Sequence, residues 1–442
     1  MVRLRFSLFQ AVLGALLLVA ALQLLYLALL SGIHGRQQRR RYSQLFEARG
    51  RGPGPGPGAG GWRLPADAGL DASGRYRLYR DVSRSPVAAR AARSPGLELS
   101  LATHSSVHNL HQLPALVRRW QGPLAVAVFA PAGELLPALL ALRRLELYCP
   151  GLRDTVTFTL VTPSRLRLPP YPPGGLDGEQ DEAEAHWDPG LDSDSEPEPH
   201  PPCRRALAPL HRLRLQRRNY ALGNASYPNN LLRNAARAAL ASRYVLLIDM
   251  DMLPSGGLHA HFLELMSSPR GAPPAADRTL FVLPALEIRH SRRLPWDKAE
   301  LQRLYQVAEV RPFYSELCPR CQAPTNYSRW INLPAGGPGL RVAYTQPWTD
   351  PWEPFYISRA TVPPYDERFE QYGFNRISQA CELHVAGYTF AVLDNAFLIH
   401  KGFKLASEFH PQKDEENRRN RILFRQFKQE LKLKYPDSPR RC

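Results

Sequence analysis

The chain has 442 residues, of which 44% are hydrophobic, so it can fold into one large domain or two ordinary domains with appendages. Its formal net charge is +17, which indicates an anionic partner such as a nucleotide diphosphate, an acidic glycan or a membrane surface. The sequence carries no zinc-finger or RNA-binding signature, and we therefore exclude nucleic acid as a partner.

An apolar segment near the start of the chain predicts a membrane anchor. Residues 6–33 carry no charge, and this run exceeds the roughly 20 residues that span a bilayer. We assign 1–7 to a short cytoplasmic tail and 8–33 to an uncleaved signal anchor, because a cleaved signal peptide has a shorter apolar core. More arginines follow the span than precede it, and the positive-inside rule alone would therefore place the N-terminus outside.

Two further features of the sequence favour the opposite orientation. Asn224 and Asn326 each begin an Asn-X-Ser glycosylation sequon, and the six cysteines suit an oxidising compartment. The pair Cys318 and Cys321 matches half a zinc site or a redox motif, but no second Cys-x-x-Cys or close His pair completes it, so we expect structural disulfides. Together these features predict a type II membrane protein whose globular part faces a secretory lumen.

The rest of the chain divides into a stem and a globular domain. Residues 34–94 are rich in Gly, Pro and Arg, and such a segment cannot bury a core. The domain is predicted over 95–442, with a disordered acidic insertion at about 164–202. Strands are predicted at 97–102, 124–130, 155–161, 244–248 and 280–286, and helices at 107–120 (interrupted by Pro114), 135–147, 231–240, 298–307 and 417–434. This alternation indicates an α/β fold whose parallel sheet has crossover helices.

The most informative motif is Asp249-Met-Asp251, which directly follows the apolar run 244–248. A strand that ends in two carboxylates places them at the carboxyl edge of an α/β sheet, where ligands bind. Carboxylates suit a hard divalent cation that bridges to phosphate oxygens, and the arrangement is typical of glycosyltransferases that use nucleotide sugars. The alternative is a solvated junction between strand and loop.

Several segments around this motif resemble the β-1,4-glucuronyltransferases of glycosyltransferase family 49. They are 227–234, 322–330, 350–356, 372–387, 400–404 and 438–442. The resemblance implies a GT-A fold, which is a Rossmann-like mixed sheet flanked by helices. It implies inverting transfer of glucuronate from UDP-glucuronate to a β-linked xylose on the O-mannosyl glycan of dystroglycan, priming elongation by a bifunctional xylosyl/glucuronyl polymerase. The alternatives are an N-acetylglucosaminyl- or xylosyltransferase of the same fold, and a non-catalytic Golgi scaffold for a partner transferase.

This chemistry calls for a cation beside the diphosphate. Asp251 is the predicted direct metal ligand, and Asp249 is predicted to bind either the metal or the ribose hydroxyls. His400 resembles the third metal ligand of the family, and a carboxylate and imidazole set favours Mn²⁺ over zinc. Lys401 and Lys404 follow closely and are expected to hold the diphosphate.

Other residues are predicted to contact the donor. Thr103 ends the first predicted strand, where uridine would dock. Asn230 and Arg233 precede the Asp-x-Asp strand and are expected to touch the nucleotide or the sugar, with helix surface or capping as the alternative. The carboxylate of glucuronate calls for a guanidinium partner, and the candidates are Arg289, Arg292, Arg293 and Arg329.

An inverting transferase also needs one general base to deprotonate the acceptor hydroxyl. Many inverting GT-A enzymes carry Glu-Asp at the start of the helix before the last core strand. The matching position here, Gly373-Phe-Asn-Arg376, contains no acid. The nearest acids in the sequence are Asp366 and Glu353, and we predict the base to be one of these two.

Overall fold

The computed structural model describes residues 68–442 except 94–97, 132, 167–200, 217–219, 221–225, 269–275, 337–338 and 409, and it also describes Gln23. The predicted anchor, apart from Gln23, and most of the predicted acidic insertion lie outside these described residues. Among the residues that are described, no helix is long and apolar enough to cross a membrane.

The described part is built from β-strands in two sheets, with helices around them. The strands are β1 (Gly69–Leu70), β2 (Tyr76–Ser83), β3 (Leu99–Ser106), β4 (Leu124–Phe129), β5 (Val156–Pro163), β6 (Tyr244–Leu247), β7 (Met252–Pro254), β8 (Thr279–Leu283), β9 (Ala285–Ile288), β10 (Val310–Pro312), β11 (Val342–Gln346), β12 (Phe355–Arg359), β13 (Thr389–Leu393) and β14 (Leu398–Lys401). One mixed sheet has the order β1-β2-β5-β4-β3-β6-β12-β8-β13-β11, and a smaller sheet has the order β10-β9-β14-β7.

Helices connect and cover these strands. They are α1 (Pro86–Arg93), α2 (Leu113–Trp120), α3 (Leu135–Tyr148), α4 (Leu152–Thr155), α5 (Pro201–Gln216), α6 (Asn229–Ala238), α7 (Leu258–Ser267), α8 (Lys298–Gln306), α9 (Pro319–Gln322), α10 (Tyr327–Ile331), α11 (Asn375–Val385) and α12 (Lys413–Lys434). Short 3₁₀ segments lie at Val107–Gln112, Ala276–Arg278, Ala323–Thr325 and Ala406–Glu408. Most of the helices predicted from the sequence are present, with ends within a few residues of the prediction.

The centre of the large sheet has the parallel arrangement that the sequence predicts. β3 runs parallel to both β4 and β6, and β4 runs parallel to β5. Every residue of β4 and of β6 is buried, as expected for strands that are covered on both faces. The sheet as a whole is mixed, because β12 runs antiparallel to its neighbours β6 and β8.

The globular domain begins earlier than the predicted boundary at residue 95. β2 pairs antiparallel with β5, and it buries Tyr76, Leu78, Tyr79 and Val82. Residues 68–93, which the sequence predicts to be stem, therefore belong to the folded domain. The high Gly, Pro and Arg content of the predicted stem makes β2 hard to recognise in the sequence, because the strand has only a few apolar residues, all close together.

Prolines account for two other differences from the predicted elements. The strand predicted at 280–286 is two strands, β8 and β9, which belong to different sheets and are separated by Pro284. Proline has no backbone N–H to continue a ladder of hydrogen bonds. The helix predicted at 107–120 is a 3₁₀ turn followed by α2, which places Pro114 in the first turn, where a missing N–H costs nothing.

All six cysteines form disulfides, as the sequence analysis expected. The pairs are Cys149–Cys203, Cys318–Cys321 and Cys381–Cys442. This pairing excludes a zinc site at the Cys-Pro-Arg-Cys motif. The third pair ties the end of the chain to α11, which helps to hold the C-terminal segment against the domain.

Candidate active site

The Asp-x-Asp motif forms the link between the two sheets. β6 ends at Leu247, and the backbone N–H of Ile248 still donates to Ala102 O of β3. The chain then turns through the motif, with Met252 N donating to Asp249 O (3.0 Å), and enters β7 of the smaller sheet. Each aspartate therefore faces a different set of neighbours.

Asp249 lies among three basic side chains. Its Oδ1 is 3.2 Å from Arg233 Nη2 and 3.2 Å from His104 Nε2, and its Oδ2 is 2.6 Å from Arg376 Nη2. Burial would raise the pKa of Asp249, but the two guanidinium groups and His104 hold it well below the usual value. The Asp249 carboxylate is therefore ionised, and each of its oxygens faces at least one basic side chain.

His104 was not anticipated from the sequence, although the strand register places it here. Ala102 pairs with Leu247, so the residue two positions after Ala102 stands beside Asp249. His104 Nδ1 lies 2.8 Å from the hydroxyl of Tyr227, and burial lowers the pKa of His104. We assign a neutral ring that accepts from Tyr227 and presents its Nε2–H to Asp249.

Asp251 faces the smaller sheet, where β14 pairs with β7 so that His400 is opposite Met252. Its Oδ2 lies 3.2 Å from His400 Nε2 and 3.1 Å from Lys404 Nζ. Although burial raises the pKa of Asp251, Lys404 and His400 hold it far below the usual value. This carboxylate is also ionised, but its partners are a partly exposed ammonium group and a buried imidazole.

The geometry of His400 suits a metal ligand. Its Nδ1 donates to Gly402 O at 2.7 Å, which leaves Nε2, 3.2 Å from Asp251 Oδ2, as the ring nitrogen available to a cation. A cation between these two acceptors would satisfy both, and a backbone carbonyl that orients the far nitrogen is usual for metal-bound histidines. Among the described residues, no group of three or more His, Cys, Asp or Glu side chains is arranged to hold a metal ion. Asp251 and His400 thus fit two ligand positions, and Asp249 is engaged with its basic neighbours.

The predicted donor-binding residues differ in how deeply they are buried. Asn230 and Arg233 are both buried, and Arg233 Nη1 donates to Asn230 Oδ1 (2.8 Å) while Asn230 Nδ2 donates to Asp366 O (2.8 Å). Thr103 lies within β3 and is fully buried, and its hydroxyl has no hydrogen-bond partner among the described residues. Lys401, the last residue of β14, is only partly buried.

Glu353 stands at the same edge of the large sheet. Glu353 lies just before β12, which pairs with β6, and its carboxyl group is within electrostatic reach of Arg376, Arg233 and Asp249. Its backbone is held by the disulfide turn, because its N–H donates to Cys321 O (2.8 Å) and its carbonyl accepts from Gln322 Nε2 (3.0 Å). The Cys-x-x-Cys motif therefore positions a carboxylate at the site.

The environment of Glu353 changes its acidity. Burial raises the pKa of Glu353 to about 7, against the opposing charges of Arg376 and Arg233. The Glu353 carboxylate in turn contributes, after burial, to the raised pKa values of Tyr314 and Tyr372. A carboxyl group of this kind, beside two tyrosines and two guanidinium groups, is a functional-site candidate.

Asp366, the other candidate base, is engaged elsewhere. Its carboxylate accepts from the backbone N–H of Arg368 (3.0 Å) and forms an ion pair with the Arg368 guanidinium (2.5 Å), which also binds Glu430 of α12. Among the described residues, Asp366 contacts the site through its backbone carbonyl, which accepts a hydrogen bond from Asn230. The geometry favours Glu353 as the base.

The four arginines proposed for the donor carboxylate lie on the surface. Arg289 and Arg292 form ion pairs with Glu309 (both 3.2 Å), and Arg293 is exposed. Arg329 is exposed and stacks over the ring of Tyr344. The arginines at the site are instead Arg233 and Arg376. No sequence pattern predicts a role for Arg376. It lies only in the segment Gly373–Arg376, where related enzymes carry an acid and this chain does not.

The structure bears on one of the two predicted glycosylation sites. Asn326 is exposed and caps α10, where its Oδ1 accepts from Arg329 N (3.1 Å). Asn224 lies outside the described residues. Glycosylation at both positions stays a prediction.

Comparison with known proteins places these features in a family. Residues 98–436 match the family model described as "Glycosyl-transferase for dystroglycan". The chain is 49% identical to "Beta-1,4-glucuronyltransferase 1" of Danio rerio, over 99% of this chain and 98% of that protein. It is 49% identical to the protein of the same name from Homo sapiens, over 84% of this chain and 83% of that protein.

Two more distant similarities are weaker. "Xylosyl- and glucuronyltransferase LARGE1" of Homo sapiens is 32% identical over 46% of this chain and 26% of that protein. A solved structure, "Crystal structure of GalNAc-T7 with UDP, GalNAc and Mn2+", is 10% identical over 70% of this chain and 44% of its own, with a TM-score of 0.32. A TM-score this low carries no argument about fold or function.

Proposed function

The chain belongs to the family of glycosyl-transferases for dystroglycan, and we propose that it is a β-1,4-glucuronyltransferase. It transfers glucuronate from UDP-glucuronate, with inversion, to a β-linked xylose on the O-mannosyl glycan of dystroglycan. The product primes elongation by a bifunctional xylosyl/glucuronyl polymerase, which is the partner enzyme. The fold is of the GT-A type, a proposal supported by the mixed sheet and by the Asp-x-Asp turn at its edge.

The observation that carries this proposal is the meeting of three groups at one edge of the sheets. Asp251 and His400 approach within 3.2 Å of each other, and Glu353 is within electrostatic reach of Asp249 in the same motif. A cation site next to a carboxyl group with a pKa of about 7 supplies the two things that inverting transfer from a nucleotide sugar needs. These are charge neutralisation at the leaving diphosphate and a base for the acceptor hydroxyl.

Asp251 and His400 would hold a divalent cation, and we propose Mn²⁺ because the set combines carboxylate and imidazole. When bound, the cation supplies positive charge to the diphosphate as it leaves. Lys404 now contacts Asp251 at 3.1 Å, and it would exchange this contact for a phosphate oxygen of the donor. Lys401, at the end of β14, would add a second ammonium group on the same side.

Glu353 takes the proton of the acceptor hydroxyl as that oxygen attacks the anomeric carbon. Its pKa of about 7 leaves a substantial fraction ionised at neutral pH while keeping it basic enough to accept a proton. The two hydrogen bonds from the disulfide turn fix its backbone. The nearby Tyr314 and Tyr372 offer aromatic rings for an acceptor sugar to pack against.

The cellular setting follows from the sequence and the disulfides. The apolar segment 8–33 would anchor the protein in the Golgi membrane as a type II protein. Three disulfides need an oxidising compartment, which supports a luminal catalytic domain. Asn224 and Asn326 are the proposed N-glycosylation sites.

The experiment that tests the function is donor turnover by the purified full-length chain in detergent. The acceptor is a β-xyloside, Mn²⁺ is present, and the donors are UDP-glucuronate, UDP-xylose, UDP-N-acetylglucosamine and UDP-glucose. We expect transfer from UDP-glucuronate in large excess over the other donors. Preference for another donor would replace the proposed specificity within the same fold, and absence of turnover despite UDP binding would favour the scaffold alternative.

A further inference from the structure

Arg376 is a buried arginine at the site to which the mechanism so far gives no task. It lies in the first turn of α11 and is 8% exposed. Its guanidinium carbon is 4.2 Å from the centroid of the Phe355 ring, and its Nη2 is 2.6 Å from Asp249 Oδ2. Despite that short ion pair, Nη2 has no hydrogen-bond partner of proper geometry among the described residues.

Arg233, the other guanidinium at Asp249, is bonded quite differently. Its Nη1 donates to Asn230 Oδ1 (2.8 Å) and to Asn375 Oδ1 (2.9 Å), and its Nη2 donates to Asp249 Oδ1 (3.2 Å). Arg233 is therefore held by the protein through both of its terminal nitrogens, and only its Nε has no hydrogen-bond partner among the described residues. Arg376 keeps N–H groups that a buried guanidinium rarely leaves unused.

The charges at this end of the site also leave room for an anion. Two guanidinium groups face a single carboxylate, that of Asp249, at 3.2 Å and 2.6 Å. Glu353, the next acid, has a pKa of about 7 and is only partly ionised at neutral pH. A buried excess of positive charge is costly unless a ligand supplies the opposite charge.

The position of Arg376 indicates which anion that is. The diphosphate belongs on the side of Asp251, His400 and Lys404, where the cation and ammonium groups lie. Arg376 instead contacts Asp249, within electrostatic reach of Glu353. Because the base must sit beside the anomeric carbon, this side of the turn faces the sugar of the donor.

We propose that Arg376 binds the carboxylate of the glucuronyl group in the donor and thereby sets the preference for a uronate over a neutral sugar. This proposal rests on the proposed function and deepens it. The planar guanidinium matches a carboxylate in two parallel hydrogen bonds. The Phe355 ring packs against one face of the guanidinium and restricts the orientation of its plane.

The loop before α11 keeps Arg376 in place without the donor. Gln371, Gly373 and Phe374 all have positive φ angles, and a Cβ at position 373 would lie 2.6 Å from Asn417 Oδ1. The amide nitrogen of Asn420 in α12 lies 2.8–2.9 Å from three carbonyl oxygens of this loop. The buried face of the C-terminal helix therefore fixes the start of α11, which is the kind of support that a specificity site requires.

The test compares two donors that differ at this one group, UDP-glucuronate and UDP-glucose. For the full-length wild-type chain, Arg376→Gln and Arg376→Lys, kcat/KM is measured for both donors with Mn²⁺ and a β-xyloside. The affinity of each protein for UDP alone is measured by calorimetry. Arg292→Gln is the matched control, because Arg292 is an exposed arginine that also pairs with a carboxylate.

We expect Arg376→Gln to lower the ratio of kcat/KM for UDP-glucuronate over UDP-glucose by about 100-fold, a size typical of losing a charged, paired hydrogen bond. Arg376→Lys keeps the charge without the planar fork, and we expect a loss of about tenfold. The affinity for UDP should stay within threefold of wild type in both variants, and Arg292→Gln should change neither quantity.

An unchanged donor ratio in Arg376→Gln would overturn the proposal, whether or not overall activity falls. A parallel loss of UDP affinity would also overturn it and assign Arg376 to the diphosphate. If Arg376→Gln does not fold, the ratio in Arg376→Lys decides the matter by the same criterion. Failure of the proposed function is a separate result, because the wild-type chain would then show no preference for UDP-glucuronate.

Discussion

The two aspartates of the Asp-x-Asp motif are one residue apart, yet they belong to different neighbourhoods. Asp249 ends a strand of the large sheet and is enclosed by Arg233, Arg376 and His104. Asp251 leads into the smaller sheet and faces His400 and Lys404. Both carboxylates are ionised, but only the Asp251 side combines a carboxylate with an imidazole positioned as a metal ligand. Two identical residues of one motif therefore have different neighbours and different roles, because the chain passes from one sheet to the other between them.

The largest effect should follow from substitution on the Asp251 side. We expect Asp251→Asn to lower the turnover of UDP-glucuronate by at least about 10³-fold, because a cation contributes several kcal/mol to stabilising the leaving group. Turnover is measured by product mass with saturating donor. Asp277→Asn, which removes an exposed aspartate paired with Arg359 (3.2 Å), is the control and should retain activity. Near-normal turnover in Asp251→Asn would show that this side does not hold the cation.

Substitution of the base should come next and should separate chemistry from binding. We expect Glu353→Gln to lower kcat by about 10³-fold, within the range for losing a general base, with UDP affinity unchanged. Asp366→Asn is the matched variant, and its carboxylate is engaged by Arg368. If Asp366→Asn abolished turnover and Glu353→Gln did not, the two assignments would have to be exchanged.

The acidity of Glu353 also predicts a pH dependence. A base with a pKa of about 7 is protonated below that value, so kcat/KM should fall about tenfold per pH unit below pH 7 and level off above it. The pH profile of the wild-type chain tests this directly. A profile that stays flat between pH 5.5 and 7 would exclude Glu353, with this pKa, as the base.

The same group predicts an effect on stability with a definite sign. The pKa of Glu353 in the folded chain, about 7, lies above the ordinary glutamate value of 4.5, so between these values the folded chain retains a proton that the unfolded chain has lost. The free energy of unfolding should therefore decrease as pH rises from about 4.5 to 7. Glu353→Gln should remove this component and unfold at a higher temperature than wild type at pH 8, as thermal unfolding would measure. A lower unfolding temperature there would contradict the burial of this carboxyl.

The smallest effect on turnover should come from the Asp249 side. His104→Phe removes the partner of the Tyr227 hydroxyl, and an unsatisfied buried group costs about 1–3 kcal/mol of stability. Turnover of the folded enzyme should change less than about tenfold, because Arg233 and Arg376 still hold Asp249. Thermal unfolding and kcat, measured together, check both parts. A loss of turnover as large as that of Asp251→Asn would show that the two sides are not functionally distinct.

Much of this arrangement follows from local sequence. The apolar run before Asp249 predicts a buried strand, and two carboxylates after such a strand predict a ligand site at the sheet edge. His400 ends a second apolar run, and the pairing of β14 with β7 brings it to Asp251. These features are visible because each is encoded within a few consecutive residues.

The features that the sequence analysis missed depend on pairing between distant segments. His104 reaches Asp249 because β3 and β6 lie in one particular register, and no local pattern states that register. Arg376 stands where an acid was expected, while the acid, Glu353, comes from the turn before β12. The four arginines predicted for the donor carboxylate are surface residues, because charge alone does not distinguish a solvated arginine from a buried one. The segment that forms β2 reads as stem in the sequence, because its apolar pattern is short and the residues around it are rich in Gly, Pro and Arg.

The measurement that tests the separate roles of the two aspartates most directly is the affinity for Mn²⁺ in the presence of UDP. It is determined by calorimetry for the wild-type chain, Asp249→Asn and Asp251→Asn. We predict that Asp251→Asn weakens Mn²⁺ binding by at least about 100-fold, as expected for loss of a direct ligand, while Asp249→Asn stays within about fivefold of wild type. Equal losses in the two variants would contradict the account, because they would show that both carboxylates hold the cation.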